Sequence, residues 1–373
     1  MRVVAKIGTA SVTDEHGHIS IIAIAKLVDE VAQLRTAGHE VIVVSSGAVA
    51  AGVAALGMPA RPADMRTLQA VSAVGQARLV ESYDAELARH GLVGAQLLVD
   101  PYDFVERRQY LHLRATLDRL LELGVVPIVN ENDAIANDEL RYGDNDRIAA
   151  LLAHSVRADV LVLLTDMDGV YTADPRTDPA ARLVPLVGAD DPMLSISAGA
   201  GGSGRGSGGM ASKLTAARIA SWSGIRCVIA RATSPNVLVG AASEELVGTT
   251  FSAHDRRLSA RKLWIAFAAD VSGVITVDEG ARRALVERPN SLLPAGVTGV
   301  DGVFQAGEVV DVVDPAGIRF ARGRVSIAAG DLRSVLGRRT ADLPVGLPNA
   351  VVHRDDLIVL EPVTEIGNRF YER

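Results

Sequence analysis

Six short runs of β-branched and aliphatic residues alternate with helical patterns through the first two-thirds of the chain. They are Arg2–Ile7, Glu40–Ser45, a run within 91–98, Gly124–Asn130, Asp159–Leu164 and Ile225–Ala230. Helical spacing fills 21–37, 110–123 and 147–155, and helices start again after Ser46 and after Lys213. Strands this apolar must be covered on both faces, which a parallel sheet with crossover helices achieves. The expected fold is therefore a parallel-sheet α/β/α sandwich with right-handed crossovers. Ligands of such sheets bind beyond the carboxyl ends of the strands.

The chain has 373 residues, more than one ordinary core accommodates, so a second domain is expected. The character changes at 251–261, a polar and charged stretch that reads as a linker. Beyond it lie β-type runs at Gly273–Val277, Gly307–Val313 and Arg319–Val325, with one helical piece at 279–287. These predict a smaller β-rich domain. Boundaries follow at 1–255, 262–345 and a tail at 346–373.

A net charge of −7 argues against an overall nucleic-acid binder. The single cysteine, Cys227, excludes an internal disulfide and any cysteine-based metal cluster, and its apolar surroundings read as a buried strand. No secretory pattern opens the chain and no apolar run is long enough to span a membrane, so a cytoplasmic protein without membrane partners is expected.

Chemistry points to the strand ends. Seven of the twelve residues from Ala198 to Gly209 are glycine, and the segment runs through Met210, Ala211 and Ser212 into Lys213 at a helix start. Backbone without Cβ atoms approaches a ligand closely and turns its N–H groups toward one anion. A flexible linker is the plain alternative, but a terminal lysine at a helix start favours a phosphate cradle. Lys6 ends the first strand after Val3, Val4 and Ala5, so a buried ammonium there needs a partner. Ser46 and Gly47 open a helix after the second strand; they serve an anion or act as a simple N-cap. Asn130 to Asp133, Asp144 to Asp146, and Thr165 with Asp166 gather acids and amides at the same edge. Such a cluster needs cations or an amino group between its members. The signatures GxxxxGK[ST] and GxGxxG are absent from the places they occupy in other nucleotide-binding folds. Two lysines positioned by an acid form a different clamp, suited to phosphoryl transfer, where alignment and charge neutralisation carry the acceleration.

These residues fall in the motifs VVAKIGT, VIVVSSGAVAAG, AVGQ, VPIVNENDAIA, GDNDRIAAL, LLTDMDGVYTADPR and GSGGMASKLTAA, followed by GVITVDEGARRAL and SLLPAGV. In that combination the chain resembles the glutamate 5-kinases, enzymes of the amino acid kinase fold with a C-terminal PUA domain, over its length to about Val359. The resemblance implies ATP- and Mg2+-dependent phosphorylation of L-glutamate to L-glutamyl 5-phosphate, the first step of proline synthesis. It implies proline as a feedback inhibitor and a homo-oligomer, dimer or tetramer. By motif, Lys6 and Lys213 bracket the β- and γ-phosphates, and Ser46, Asp133 and Asn145 hold glutamate, with Asp146 close to its amino group. Thr165 and Asp166 contact ATP, and Asp166 also positions the lysines. Ser207, Gly208, Gly209, Met210, Ala211, Ser212 and Lys213 wrap the nucleotide phosphates. No residue is assigned to the metal.

Two other readings compete. One is a sister kinase of the same fold, acting on acetylglutamate, aspartate or UMP; the NENDAIA and GDND motifs and the appended domain argue against it. The other is RNA binding by the second domain, where six arginines (319, 322, 324, 333, 338 and 339) face one acid, Asp331, between 316 and 339. A solvated face accounts for that stretch as well.

Overall fold

The computed structural model describes residues 1–14, 16–104, 106–135, 145–189, 191, 209–255, 257–269 and 271–360. They divide into two compact units, one up to Arg257 and one from Leu258.

The first unit opens with β1 (Arg2–Ile7), α1 (Thr9–Val12), α2 (Ile21–Thr36), β2 (Glu40–Ser45), α3 (Ala48–Ala55) and α4 (Met65–Arg89). There follow β3 (Gly94–Val99), α5 (Arg107–Glu122), β4 (Val126–Glu131), α6 (Asn145–Ser155), β5 (Val160–Thr165) and β6 (Leu186–Val187). It ends with α7 (Met210–Trp222), β7 (Arg226–Arg231), α8 (Val237–Ala242) and β8 (Thr249–Phe251). The eight strands form one sheet in the order β3-β4-β2-β1-β5-β7-β8-β6, parallel throughout except for β7 with β8. The parallel-sheet expectation therefore holds. β1 is central: Lys6 lies opposite Val44 of β2 and Leu163 of β5. Val3, Val4, Val41, Ile42, Val160 and Leu161 are fully buried, as strands covered on both faces require.

Strand order diverges on either side of β1, toward β2 and β4 and toward β5 and β7. A crevice beyond the carboxyl ends follows from that topology. Gly47 turns the chain from β2 into α3 with φ +106°, a left-handed conformation that side chains resist. α3 and α4 then pack at very short range through glycines. A Cβ at Gly75 would lie 1.8 Å from the Ala48 carbonyl oxygen, and one at Gly52 would lie 1.9 Å from that of Val71. α4 also buries polar Ser72, Gln76 and Glu86 alongside Leu79 and Tyr83.

The second unit begins with α9 (Ala260–Leu263), β9 (Val271–Val277), α10 (Glu279–Glu287) and β10 (Val297–Gly302). β11 (Val309–Val313), β12 (Arg319–Val325), α11 (Ala329–Ser334) and β13 (Val352–Val359) complete it. Its five strands are ordered β10-β9-β11-β12-β13, around a core that includes Ile275, Val310, Phe320 and Leu332. β13 lies within the stretch that the sequence reading assigned to the tail, yet it pairs antiparallel with β12. Its Leu357 and Ile358 are buried, which explains the pairing.

Candidate active site

Lys6 sits at the end of β1 with 4% of its surface exposed, and its ammonium does find a partner. Lys6 Nζ lies 2.6 Å from Asp146 Oδ1. The other carboxylate oxygen accepts from Lys213 Nζ at 3.2 Å and from Ser212 Oγ at 2.7 Å. Asp146 is fully buried in the first turn of α6, and Lys213 is buried in the first turn of α7. Burial pushes the Asp146 carboxyl up, the ammonium groups of Lys6 and Lys213 pull it down, and the charges prevail, so it stays below the usual carboxylate range. Two ammonium groups thus converge on one buried carboxylate at the strand ends. That suits a phosphate chain there.

Among the described residues the carboxylate in contact with both lysines is that of Asp146. Asp166 follows β5 at the surface and is exposed, and its carboxylate accepts from Thr165 Oγ1 at 3.0 Å. Asp146 is placed between the ammonium groups because α6 starts beside the ends of both β1 and α7.

Beside the lysines runs a relay of buried amides. Asn145 Nδ2 donates to Ser46 Oγ at 3.0 Å and to Asn130 Oδ1 at 3.1 Å. Asn130 Nδ2 donates to Gln76 Oε1 at 2.8 Å. Asp133 Oδ2 accepts from Ser72 Oγ at 3.2 Å. Burial pushes the Asp133 carboxyl above its ordinary value, against the pull of the Ser72 hydroxyl and of Arg61. Tyr83 Oη and Ser45 Oγ, 2.9 Å apart and both buried, tie α4 to the strand end that leads into Ser46.

Ser46, Asn145, Asp146, Lys6 and Lys213 are thereby joined through contacts, and Asn145 and Asp146 are consecutive. Thr165 is buried at the end of β5, at the same sheet edge. Gly209 caps α7, Met210 and Ala211 begin it, and Ser212 reaches Asp146. Ser207 and Gly208, with Asp138, Glu139 and Asp144, lie outside the described residues. Gln76, Asn130 and Ser72 were not singled out as ligand-binding residues from sequence. The AVGQ motif contained Gln76, but a helix that buries glutamine shows little apolar periodicity.

The amino acid kinase family matches residues 1–231, and the PUA domain matches 273–347. The glutamate 5-kinase of Frankia casuarinae is 47% identical over 367 residues, covering 97% of each chain. That of Rhodococcus opacus is 45% identical over 358 residues, 96% of each. The chain belongs to the amino acid kinase family, among its glutamate 5-kinases. The glutamate 5-kinase of Caldanaerobacter subterraneus is 42% identical and matches over 98% of this chain and 100% of its own length. The likeness to these amino acid kinases therefore spans both units.

Proposed function

We propose that the chain transfers the γ-phosphoryl group of MgATP to the γ-carboxylate of L-glutamate, giving L-glutamyl 5-phosphate and ADP in the first step of proline biosynthesis. The observation that carries this is the Lys6–Asp146–Lys213 cluster directly beside the Ser46–Asn145–Asn130 relay. One side suits phosphates and the other a zwitterionic amino acid.

An oxygen of the γ-carboxylate attacks the γ-phosphorus, a new O–P bond forms, and the bond to the β-phosphate bridging oxygen breaks. The carboxylate is already deprotonated at neutral pH, so no general base is required. Lys6 and Lys213 stabilise the charge on the transferring group, and Asp146 fixes their ammonium positions. Asp133 and the carbonyl oxygen of the Asn145 side chain take the substrate ammonium, with Ser46 orienting it. Thr165, Asp166 and the residues from Gly209 to Lys213 are assigned to the nucleotide. Both oxygens of Asp146 are engaged, so Mg2+ is assigned to the nucleotide substrate, where it neutralises phosphate charge.

All these side chains precede residue 256, so catalysis is assigned to 1–255, with the PUA domain at 262–345. Inhibition by L-proline, a homo-dimer or tetramer, and a cytoplasmic location extend the reading on the family resemblance alone. Among the described residues no helix is long and apolar enough to cross a membrane.

The test is ADP release with L-glutamate, N-acetyl-L-glutamate, L-aspartate and UMP in parallel, with and without L-proline. L-Glutamate should be turned over and N-acetyl-L-glutamate barely, because acetylation removes the ammonium that Asp133 and Asn145 recognise. Equal turnover of the acetylated substrate would overturn the assignment.

A further inference from the structure

Among the described residues, the amide relay leaves one donor and one acceptor unpaired. Asn130 Oδ1 accepts from the backbone N–H of Glu131 at 2.9 Å, a donor whose identity is fixed. That orients the Asn130 carboxamide, so its Nδ2 is the atom that faces Gln76. Gln76 must then present Oε1 to Asn130 and direct Nε2 away from it. Gln76 is 8% exposed, and its Nε2 is buried with no hydrogen-bond partner among the described residues. At the other end of the relay, Asn145 Oδ1 is buried and likewise has no partner among the described residues. Buried polar groups in native proteins are normally paired, so an unpaired NH2 and an unpaired C=O on one relay mark a site that a ligand completes. The ligand must offer an acceptor to the first and a donor to the second, as the carboxylate and ammonium of an α-amino acid do.

We propose that the Gln76 carboxamide binds the α-carboxylate of the amino acid substrate, and so sets specificity for it. This rests on the glutamate reading above. Two further contacts hold Gln76 in place. Its neighbour Gly75 packs against the Ala48 carbonyl and Gly52 N, where a Cβ would come within 1.8 and 2.4 Å. Tyr83, two turns along the same helix, is bonded to Ser45 at the strand end that carries Ser46. α4 therefore presents Nε2 at a position fixed relative to the Ser46 turn.

The test uses the full chain and two variants. Gln76→Glu keeps the size of the side chain and an acceptor for Asn130, but replaces the donor with a negative oxygen. Gln76→Met removes donor and acceptor together. ADP release is measured with L-glutamate, with MgATP, and with L-isoglutamine, whose α-carboxylate is an amide. Q76E should raise the KM for L-glutamate at least about 30-fold and Q76M about 10-fold, with the KM for MgATP within about twofold. The ratio of kcat/KM for L-isoglutamine over L-glutamate should rise at least about tenfold in Q76E, because the amide can donate where the carboxylate is repelled. A glutamate KM within about threefold of wild type in Q76E overturns the proposal. So does a larger loss in Q76M than in Q76E, which would reduce Gln76 to a support for Asn130. Should Q76E not fold, an unchanged glutamate KM in Q76M is equally decisive. A wild-type chain that does not turn over L-glutamate overturns the underlying reading instead.

Discussion

Replacing Asp146 by asparagine tests the centre of the site most directly. The carboxylate is fully buried, with ammonium groups at 2.6 and 3.2 Å that are themselves 4% and 5% exposed. At an effective dielectric constant of about 20, these attractions amount to about 6 and 5 kcal/mol. Removing three charges from water offsets most of that gain, so the intact cluster contributes little net stability. Asp146→Asn removes the attraction and leaves two buried ammonium groups without that carboxylate. The expected net loss is about 3–5 kcal/mol, the range for breaking one partner of a buried pair. Because the folded carboxyl lies below its ordinary value, its contribution is complete at neutral pH and is lost only as pH falls through the folded value. D146N removes it at neutral pH. Urea unfolding without ligands should report the loss, and coupled ADP release should show kcat lowered by about two to three orders of magnitude as the lysines lose their positions. Asp166→Asn, at an exposed site, should cost under about 1 kcal/mol and leave kcat within about tenfold. A D146N enzyme within about 1 kcal/mol and tenfold of wild type, or a greater loss in D166N, would refute the reasoning.

Lys213→Met and Lys6→Met should each lower kcat by roughly two to four orders of magnitude while the fold persists, as checked by single-turnover kinetics beside circular dichroism. Gly75→Ala should destabilise by at least about 2 kcal/mol in urea and raise the KM for glutamate, since its Cβ collides with the Ala48 carbonyl and moves Gln76 with α4. His154 is held down to about 4 by burial first and then by Arg257 and Arg114. The unfolded chain takes up that proton near pH 6.5, so the stability linked to it is full above that value and falls as pH drops toward 4, by up to about 3 kcal/mol. Urea midpoints at pH 7, 5.5 and 4.5 should fall less steeply for His154→Asn, and parallel profiles would contradict this.

The sheet was legible because its central strands are apolar throughout. β1 and β2 have the bounds their composition suggests, and β5 and β7 lie within one residue of theirs. β6 and β8, with two and three residues, are too short to carry a period. α4 is harder to read for a different reason. Its 25 residues bury Ser72, Gln76 and Glu86 on the same element as Leu79 and Leu87, so polar residues interrupt the apolar stripe. Of these, Ser72 and Gln76 bond to Asp133 and Asn130 of the site. The two lysines were legible because each closes a recognisable strand or loop. The contact of Asp146 with both lysines was not, because it depends on how α6 packs beside β1 and α7, which no local pattern records.

The arginines of the second unit show the opposite use of charge. Arg319 and Arg322 converge on buried Asp311 at 2.6 and 2.8 Å. Arg322 also donates to the Ala266 carbonyl, Arg324 to that of Gly307, and Arg333 to that of Gly302. Four of the six arginines that suggested an RNA-binding face therefore hold strands and turns of their own unit. A guanidinium that compensates a buried carboxylate cannot neutralise a phosphate without leaving that carboxylate unpaired. Exposed Arg333, Arg338 and Arg339 keep uncompensated charge, enough to neutralise about three phosphates, which corresponds to a salt slope near −2.1 on single strands. In the first unit two buried ammonium groups converge instead on one buried carboxylate, at the strand ends where the proposed function places the phosphate chain.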